Sequence, residues 1–279
     1  APELFRKIVD DCIAVGGIKS AAFFGDGEPL LHPEFFSMVS YAQEQGAFEK
    51  TNITTNASLI NETIAEKLVE SGLAMVRISL YGLDDETYLA TTRQKKFNFS
   101  DILQRILLLS ETKKKAGLLT PFIYVKVMEG LSSPERMNEF HKQIMPHVDG
   151  FGFEYGHDWD GSFDLSQKGK RLEGLDINCC PKAWYTLNIA HNGDVRICCI
   201  DWSHATTIGN IKHHSLADIW NGPGMQTFRQ MHVNGISFRN TACNGCTFYK
   251  RDSLNPDADN IDSVVQNDPE RAASVFSPN

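Results

Sequence analysis

The sequence has no apolar run long enough to cross a bilayer, and it is poorer in basic than in acidic residues, with 27 Lys and Arg against 35 Asp and Glu and a formal net charge of −8 at pH 7. A membrane helix needs about 20 consecutive apolar residues and a nucleic-acid surface needs clustered Lys and Arg, so neither a membrane partner nor a nucleic-acid partner is expected. The one basic block, Lys113-Lys114-Lys115, is interpreted as a solvated helix end. No signal peptide is visible, although the sequence begins at Ala1 and not at Met.

The seven cysteines of the 279-residue chain are odd in number and mostly clustered in its last third. Such a set fits a metal in a reducing compartment better than a disulfide framework, and we therefore expect a cytoplasmic protein. Cys12 lies on an apolar helical face and is interpreted as a packed core thiol. Four other cysteines come from three separate places in the chain and are the candidate metal ligands: Cys180, Cys198, Cys243 and Cys246.

The spacing of the candidate ligands predicts how the chain brings them together. In Cys243-Asn-Gly-Cys246, two sulfurs can reach one metal centre from a single tight turn. Gly193 is predicted to form the turn of a hairpin over residues 185–199, which returns Cys198 close to Cys180. Four thiolates favour a soft metal, either an iron–sulfur cluster or zinc.

Several neighbours of the candidate ligands need their own interpretation. Strand alternation points Cys199 away from Cys198, but element boundaries are uncertain by a residue, so replacement of a ligand by its neighbour Cys179 or Cys199 stays open. Asp201 is either a base near the substrate or a surface carboxylate. Two tryptophans, Trp184 and Trp220, are interpreted as packing around the cysteines.

From Ala1 to about Tyr155, short apolar runs alternate with segments of helical periodicity. Repeated strand–helix units indicate a parallel sheet, either an open doubly wound sheet or a barrel. The sequence begins with a helix, which suggests that a first strand has been lost upstream. Residues 156–178 are predicted to be a linker, 179–250 a second domain and 251–279 a mobile polar tail. The predicted strands are Ala21–Phe24, Thr51–Thr54, Met75–Leu80, Phe122–Met128 and Gly150–Tyr155.

Polar residues follow three successive predicted strands. The loop Gly25-Asp26-Gly27-Glu28-Pro29 puts two glycines and a carboxylate suited to an ammonium group at the carboxyl end of a strand, where ligands bind in parallel sheets. Asn56 and Ser79 stand at the ends of the next two strands. The glycines alone indicate only a tight turn, but the three strand ends together predict one small-molecule site.

These residues resemble those of radical S-adenosylmethionine (radical SAM) enzymes. Gly25–Pro29 is similar to the family's Gly-Gly-Glu-Pro motif, which holds the methionine amino group of SAM. The resemblance implies that Asn56 and Ser79 lie around the ribose and carboxylate of SAM and that Arg93 approaches the carboxylate. The C-terminal third resembles the SPASM extension, or the shorter twitch extension, in four motifs: Cys180-Pro181-x-x-Trp184, Asn192-Gly193-x4-Cys198, Ile208-Gly209-Asn210 and Ser215–Gly222.

The resemblance implies a fold, a set of cofactors and a type of reaction. The fold class is α/β, with a partial (β/α) TIM-like barrel over residues 1–155 followed by a small α+β SPASM or twitch domain. The implied cofactors are SAM and one auxiliary [4Fe–4S] cluster on the four candidate cysteines. A 5′-deoxyadenosyl radical would act on a small-molecule or peptide substrate, by oxidation or by peptide modification. The electron donor would be a protein such as flavodoxin or ferredoxin.

The sequence also departs from the family pattern. The Cys-x3-Cys-x2-Cys motif, which binds the family's catalytic [4Fe–4S] cluster just after the first barrel strand, is absent. We therefore expect that second cluster only in a full-length parent, and we expect the chain as given to be inactive. Tyr81 stands where many relatives have aspartate. The alternative hypothesis is a non-enzymatic protein with a structural zinc site of four cysteines, which leaves the loop Gly25–Pro29 unexplained.

Overall fold

The computed structural model describes residues 2–128, 130–154, 179–244 and 246, and these residues form two compact units. Of the described residues, 19–154 make up one unit, here called the sheet unit, and 2–18 together with 179–246 make up the other, here called the cysteine unit. The first helix, α1 (Pro2–Ala14), therefore belongs to the cysteine unit. The predicted linker, 156–178, and the predicted tail, 251–279, lie outside the described residues.

The sheet unit alternates strands with helices, which confirms the predicted α/β class. Its strands are β1 (Ile18–Ala22), β2 (Phe48–Thr55), β3 (Met75–Leu80), β4 (Phe122–Met128) and β5 (Gly150–Glu154). Its helices are α2 (Phe35–Glu44), α3 (Glu62–Glu70), α4 (Asp85–Thr92), α5 (Phe99–Ala116) and α6 (Pro134–Ile144). The five strands lie in chain order across one sheet, and the pairs β2–β3, β3–β4 and β4–β5 are parallel.

Apolar content predicts the boundaries of the buried strands correctly but not those of the edge strand. The predicted bounds of β3 and β4 are confirmed, because both strands are buried in the middle of the sheet. The predicted bounds of the first strand, Ala21–Phe24, are wrong, since β1 begins at Ile18 and ends at Ala22. This strand lies at the edge of the sheet and is only partly buried, so apolar residues do not mark it, and Phe24 beyond it is 38% exposed.

The two faces of the sheet differ in chemistry. Val76, Ile78 and Leu80 of β3 belong to the main hydrophobic core, together with buried residues of α3, α5 and α6. On the opposite face of the same strand, Arg77 is only 3% exposed, and its Nε donates a hydrogen bond of 2.9 Å to Thr54 Oγ1. The face of the sheet opposite the core can therefore carry polar, ligand-binding side chains without weakening the core between the sheet and the helices.

Lys113 corrects the interpretation of the basic block as a solvated helix end. It lies in the last turn of α5, is 8% exposed, and its Nζ is 2.6 Å from Asp149 Oδ2. The same carboxylate oxygen accepts the backbone N–H of Ile123 in β4 over 2.7 Å. The ion pair therefore joins the end of α5 to the sheet. Lys115, two residues on, is exposed as predicted.

Asp149→Ala is expected to destabilise the sheet unit by about 3–5 kcal/mol, because it leaves the buried ammonium of Lys113 without its carboxylate. Chemical denaturation followed by circular dichroism measures the change in the free energy of unfolding. Lys115→Ala, in the same turn but exposed, is the matched control and should change that free energy by less than about 0.5 kcal/mol. Equal effects of the two substitutions would contradict the role given to the buried pair.

The cysteine unit contains a small antiparallel sheet and short helices. Its elements after α1 are β6 (Asn188–Ile189), β7 (Asp194–Arg196), β8 (Thr207–Asn210), α7 (Leu216–Asn221) and α8 (Pro223–Val233). The predicted hairpin is confirmed, since β6 and β7 pair antiparallel around Gly193, whose φ of 91° favours glycine. In α1, Asp11 Oδ2 accepts the backbone N–H of Leu216 at the start of α7 over 3.0 Å.

Over the ranges that the structure describes, no helix is both long and apolar enough to span a membrane.

Candidate cofactor sites

The loop Gly25–Pro29 is tied to the end of β2 by the carboxylate of Glu28. Glu28 Oε1 accepts a hydrogen bond from Thr55 Oγ1 over 2.7 Å, and Oε2 accepts one from the backbone N–H of Asn56 over 2.8 Å. A third, from the backbone N–H of Leu30 over 3.2 Å, caps the short 3-10 helix Pro29–Leu31. Glu28, whose carboxylate is predicted from the sequence to bind an ammonium group, therefore also fixes the position of its own loop.

Asn56 lies in a tight turn that follows β2. Its Oδ1 accepts the backbone N–H of Ser58 over 2.9 Å, and Thr55 Oγ1 accepts that of Ala57 over 3.1 Å. Ala57 has a φ of 61°, a left-handed conformation that is uncommon for a residue with a side chain. The side-chain oxygen of Asn56 thus shapes the turn, and its Nδ2 donates no hydrogen bond to any described residue.

The other predicted SAM-binding residues lie on β1, β3 and α4 or just beyond them. Gly25, Asp26 and Gly27 are exposed in the loop that follows β1. Ser79 is near the end of β3, 8% exposed, and lies beside Lys126 of β4 in the sheet register. Arg93 ends α4 with a φ of 54°, and its backbone N–H bonds Leu89 O over 2.8 Å. Its side chain is exposed. The structure brings Glu28 and Asn56 into direct contact, and no such contact joins Arg93 to them among the described residues.

Cys246 lies close enough to Cys180 and to Cys198 to influence the pKa of each thiol. Burial raises the pKa of the Cys180 thiol to about 11, and negative charge on Cys246 and Cys179 adds to the rise. Burial also raises the pKa of Cys198 far above its usual value, with contributions from Cys199 and Cys246. Cys246 is therefore the common neighbour of Cys180 and Cys198, which come from separate segments of the chain.

Two kinds of group stabilise the thiolate forms of Cys180 and Cys198. The backbone N–H of Lys182 bonds Cys180, and the backbone N–H of Ile200 bonds Cys198. The positive charge of Lys182, a residue that is only 8% exposed, acts on both sulfurs. Hydrogen-bond donors and a nearby cation are what an anionic thiolate ligand needs in a buried place.

The fourth candidate ligand, Cys243, is joined to this group through His232 of α8. His232 Nε2 lies 3.7 Å from Cys243 Sγ, and His232 Nδ1 accepts the backbone N–H of Cys180 over 3.3 Å. The ring is 1% exposed and packs against Phe228, with 4.8 Å between the ring centroids. Burial lowers the pKa of His232. Sequence reasoning missed this residue, although it continues the apolar spacing of Met225 and Phe228 along α8.

Residues near the ligands correct two interpretations made from the sequence and agree with a third. The strand-alternation argument for Cys199 is wrong, because β7 ends at Arg196, ahead of both cysteines. Trp184 is 42% exposed and so is not a packing residue. Trp220 packs as expected, partly buried against the core of this unit, with the guanidinium of Arg229 4.5 Å from its ring centroid.

Asp201 is not a surface carboxylate, which is one of the two interpretations made from the sequence. It is fully buried, and its carboxylate accepts hydrogen bonds from Ser203 Oγ, from Thr206 Oγ1 and from the backbone N–H groups of Ala205 and Thr206. Burial tends to raise the pKa of Asp201, but these hydrogen bonds outweigh it and hold the pKa below its usual value. Asp201 therefore organises the loop that follows Cys198.

The donor set of the cysteine unit suits a soft, sulfur-bound group. Thiols from three chain segments are accompanied by backbone donors, by a buried lysine and by a buried histidine, all of which stabilise anionic sulfur. In the part of the chain that the structure describes, no three His, Cys, Asp or Glu side chains form a ligand group for a single metal ion.

Comparison with known proteins places both units in families. The model of the Radical SAM superfamily matches residues 1–128, and the model of SPASM, an iron-sulfur cluster-binding domain, matches residues 179–247. Among solved structures, anSMEcpe with bound AdoMet superposes with a TM-score of 0.60 at 15% identity, covering 98% of this chain and 88% of that chain. The likeness agrees with the predicted partial TIM-like barrel followed by a small SPASM domain.

Two curated relatives align over most of their own length. The tungsten-containing aldehyde ferredoxin oxidoreductase cofactor-modifying protein of Pyrococcus furiosus is 24% identical, over 89% of this chain and 81% of the relative. The PqqA peptide cyclase of Granulibacter bethesdensis is 21% identical, over 88% of this chain and 70% of the relative. The family matches confirm the predicted cofactors, SAM and iron–sulfur clusters, as those of this class of protein. The chain therefore carries a radical SAM domain over residues 1–128 and a SPASM iron–sulfur cluster-binding domain over residues 179–247.

Proposed function

We infer that this chain acts in the radical-based modification of a peptide or of a small molecule, with one auxiliary [4Fe–4S] cluster beside the substrate. The observation that carries the proposal is the proximity of Cys246 to both Cys180 and Cys198 in the unit that the SPASM model matches. Cys243, which contacts His232, would complete the set of four thiolates. The names of the two relatives, a cofactor-modifying protein and a peptide cyclase, support these two substrate classes.

The SAM site of the proposal lies at the carboxyl ends of the strands of the sheet unit. Glu28, with the backbone of Gly25–Pro29, would hold the methionine ammonium, and Asn56, whose backbone N–H bonds Glu28, would donate from Nδ2 to a ribose hydroxyl. Ser79 and Arg93 would bind the SAM carboxylate. When bound, SAM and the catalytic cluster of the family together supply a 5′-deoxyadenosyl radical. The residues of this chain bind and orient SAM in that reaction.

The type of reaction, the electron donor and the compartment also belong to the proposal. Oxidation of an alcohol and modification of a peptide are both compatible with an auxiliary cluster that accepts an electron. The electron donor would be a protein such as flavodoxin or ferredoxin, and the compartment would be the cytoplasm. The 279 residues contain no Cys-x3-Cys-x2-Cys motif, so these residues alone would not cleave SAM reductively.

Anaerobic reconstitution tests the proposed cluster directly. The chain should become brown and hold about four irons and four sulfides, as a cubane cluster on four thiolates requires. A colourless protein with one zinc per chain would favour the alternative, a structural zinc site of four cysteines.

In the full-length parent, Glu28→Ala is expected to weaken SAM binding by roughly 2–5 kcal/mol, because a bound ammonium loses its counter-charge and the loop loses its bonds to Thr55 and Asn56. Equilibrium dialysis with labelled SAM measures the dissociation constant. Glu34→Ala is the matched control, since Glu34 is an exposed carboxylate near the same loop and its side chain makes no capping bond. A dissociation constant that is the same for both variants would contradict the assignment of Glu28.

A further inference from the structure

His232 lies between two of the candidate cluster ligands and contacts both. Its Nδ1 is 3.3 Å from the backbone nitrogen of Cys180, and its Nε2 is 3.7 Å from Cys243 Sγ. The two cysteines are 63 positions apart in sequence, and the ring of His232 bridges them from inside a helix. With 1% exposure and Phe228 against one side, the ring has little freedom to turn.

The contacts of the ring define its tautomer. A backbone N–H can only donate, so Nδ1 must accept and therefore carries no hydrogen. A neutral imidazole then carries its single hydrogen on Nε2, the nitrogen that lies next to Cys243 Sγ. A separation of 3.7 Å suits an N–H···S hydrogen bond, in which sulfur is the acceptor. Cys180 thus fixes, through its backbone, the direction in which His232 donates.

We propose that His232 is a positioning residue that donates an Nε2–H···S hydrogen bond to the Cys243 thiolate and thereby raises the reduction potential of the auxiliary cluster. The inference rests on the proposed ligand set of Cys180, Cys198, Cys243 and Cys246. One-electron reduction adds negative charge to the cluster and its sulfurs, so a hydrogen bond to sulfur is stronger in the reduced state. Outer donors of this kind orient a ligand and tune the metal group that it holds.

Spectroelectrochemistry of the reconstituted chain measures this effect. Two substitutions separate the hydrogen bond from the space that the ring fills. His232→Phe keeps an aromatic ring against Phe228 but removes both bonds, whereas His232→Gln keeps one acceptor and one donor. We expect His232→Phe to lower the equilibrium constant for reduction about tenfold, a shift of about 59 mV to more negative potential. His232→Gln should recover most of that shift, and His213→Phe, an exposed control, should leave the potential unchanged.

The outcomes distinguish this inference from the proposed function. A wild-type chain that binds no iron–sulfur cluster would contradict the proposed function, and the inference with it. A wild-type chain with a full cluster whose potential is the same in His232→Phe would overturn the inference alone. If His232→Phe fails to assemble a cluster, electron spin echo spectra of the reduced wild-type protein and of His232→Gln decide.

Those spectra supply a readout that does not depend on the Phe variant. With 15N-labelled histidine, the reduced cluster should show a weak coupling to one histidine nitrogen through the N–H···S bond. His232→Gln should abolish this coupling while retaining the cluster. A reduced wild-type cluster without any histidine coupling would overturn the inference.

Discussion

Cys243→Ala is expected to abolish the auxiliary cluster and to loosen the cysteine unit. A cubane cluster needs all four thiolates of a closed site, and metal binding in such small domains is coupled to folding. Iron and sulfide per chain after reconstitution should fall from about four to near zero. The visible absorbance should disappear, and limited proteolysis should cut within residues 179–246, which resist it in the wild type.

The other cysteines supply the controls for this prediction. Cys12→Ala removes a thiol that is 4% exposed in α1, in the same unit but outside the ligand set, and it should keep a full complement of iron. Cys179→Ala and Cys199→Ala should also keep the cluster. If either of them loses it while Cys180→Ala or Cys198→Ala does not, the ligand at that doublet is the neighbouring residue, and our assignment is off by one position.

Incubation of the reconstituted 279-residue chain with SAM and dithionite is expected to give no 5′-deoxyadenosine. Reductive cleavage needs a cluster with one open iron site on three thiolates, whereas four thiolates leave the auxiliary cluster closed. Apart from the four candidate ligands, the chain offers only Cys12, Cys179 and Cys199, which do not have the Cys-x3-Cys-x2-Cys spacing. Liquid chromatography of the quenched reaction measures the product, and the loss relative to an active family member should be complete.

A positive control comes from the same chain with a segment that carries the three-cysteine motif supplied ahead of Ala1. Turnover that appears only in this longer protein would support the assignment of the catalytic cluster to that motif. Multiple turnovers from the 279 residues alone would contradict the prediction, and would mean that three of the seven cysteines hold a cluster with an open iron site.

Local signals in the sequence predict much of the fold. The buried strands β3 and β4 are correctly delimited, because short runs rich in apolar and β-branched residues between helical segments leave little alternative. The hairpin at Gly193 is also predicted correctly, since a positive φ favours glycine and apolar residues alternate with polar ones on both sides of the turn. Both predictions depend on neighbours within a few positions of each other in the chain.

The details that the sequence does not predict depend on distant partners. Glu28 is bound to residues 27 and 28 positions away, and His232 accepts from a residue 52 positions away. Lys113 and Asp149, 36 positions apart, are buried together, although each alone is typical of a surface. No periodicity marks such pairs, so sequence reasoning found the candidate ligands of the cluster but not the residues that surround them.

The cysteine unit is discontinuous in the chain, and this has a consequence for synthesis on the ribosome. Asp11 in α1 bonds the backbone of Leu216, 205 positions later. At roughly 5–20 residues per second, about 10–40 seconds separate the synthesis of these two partners. During that interval α1 and its apolar face are without the rest of their unit while the intervening sheet residues emerge. The nascent chain therefore has a period in which binding of α1 by a chaperone, or its mispairing with another chain, competes with correct folding.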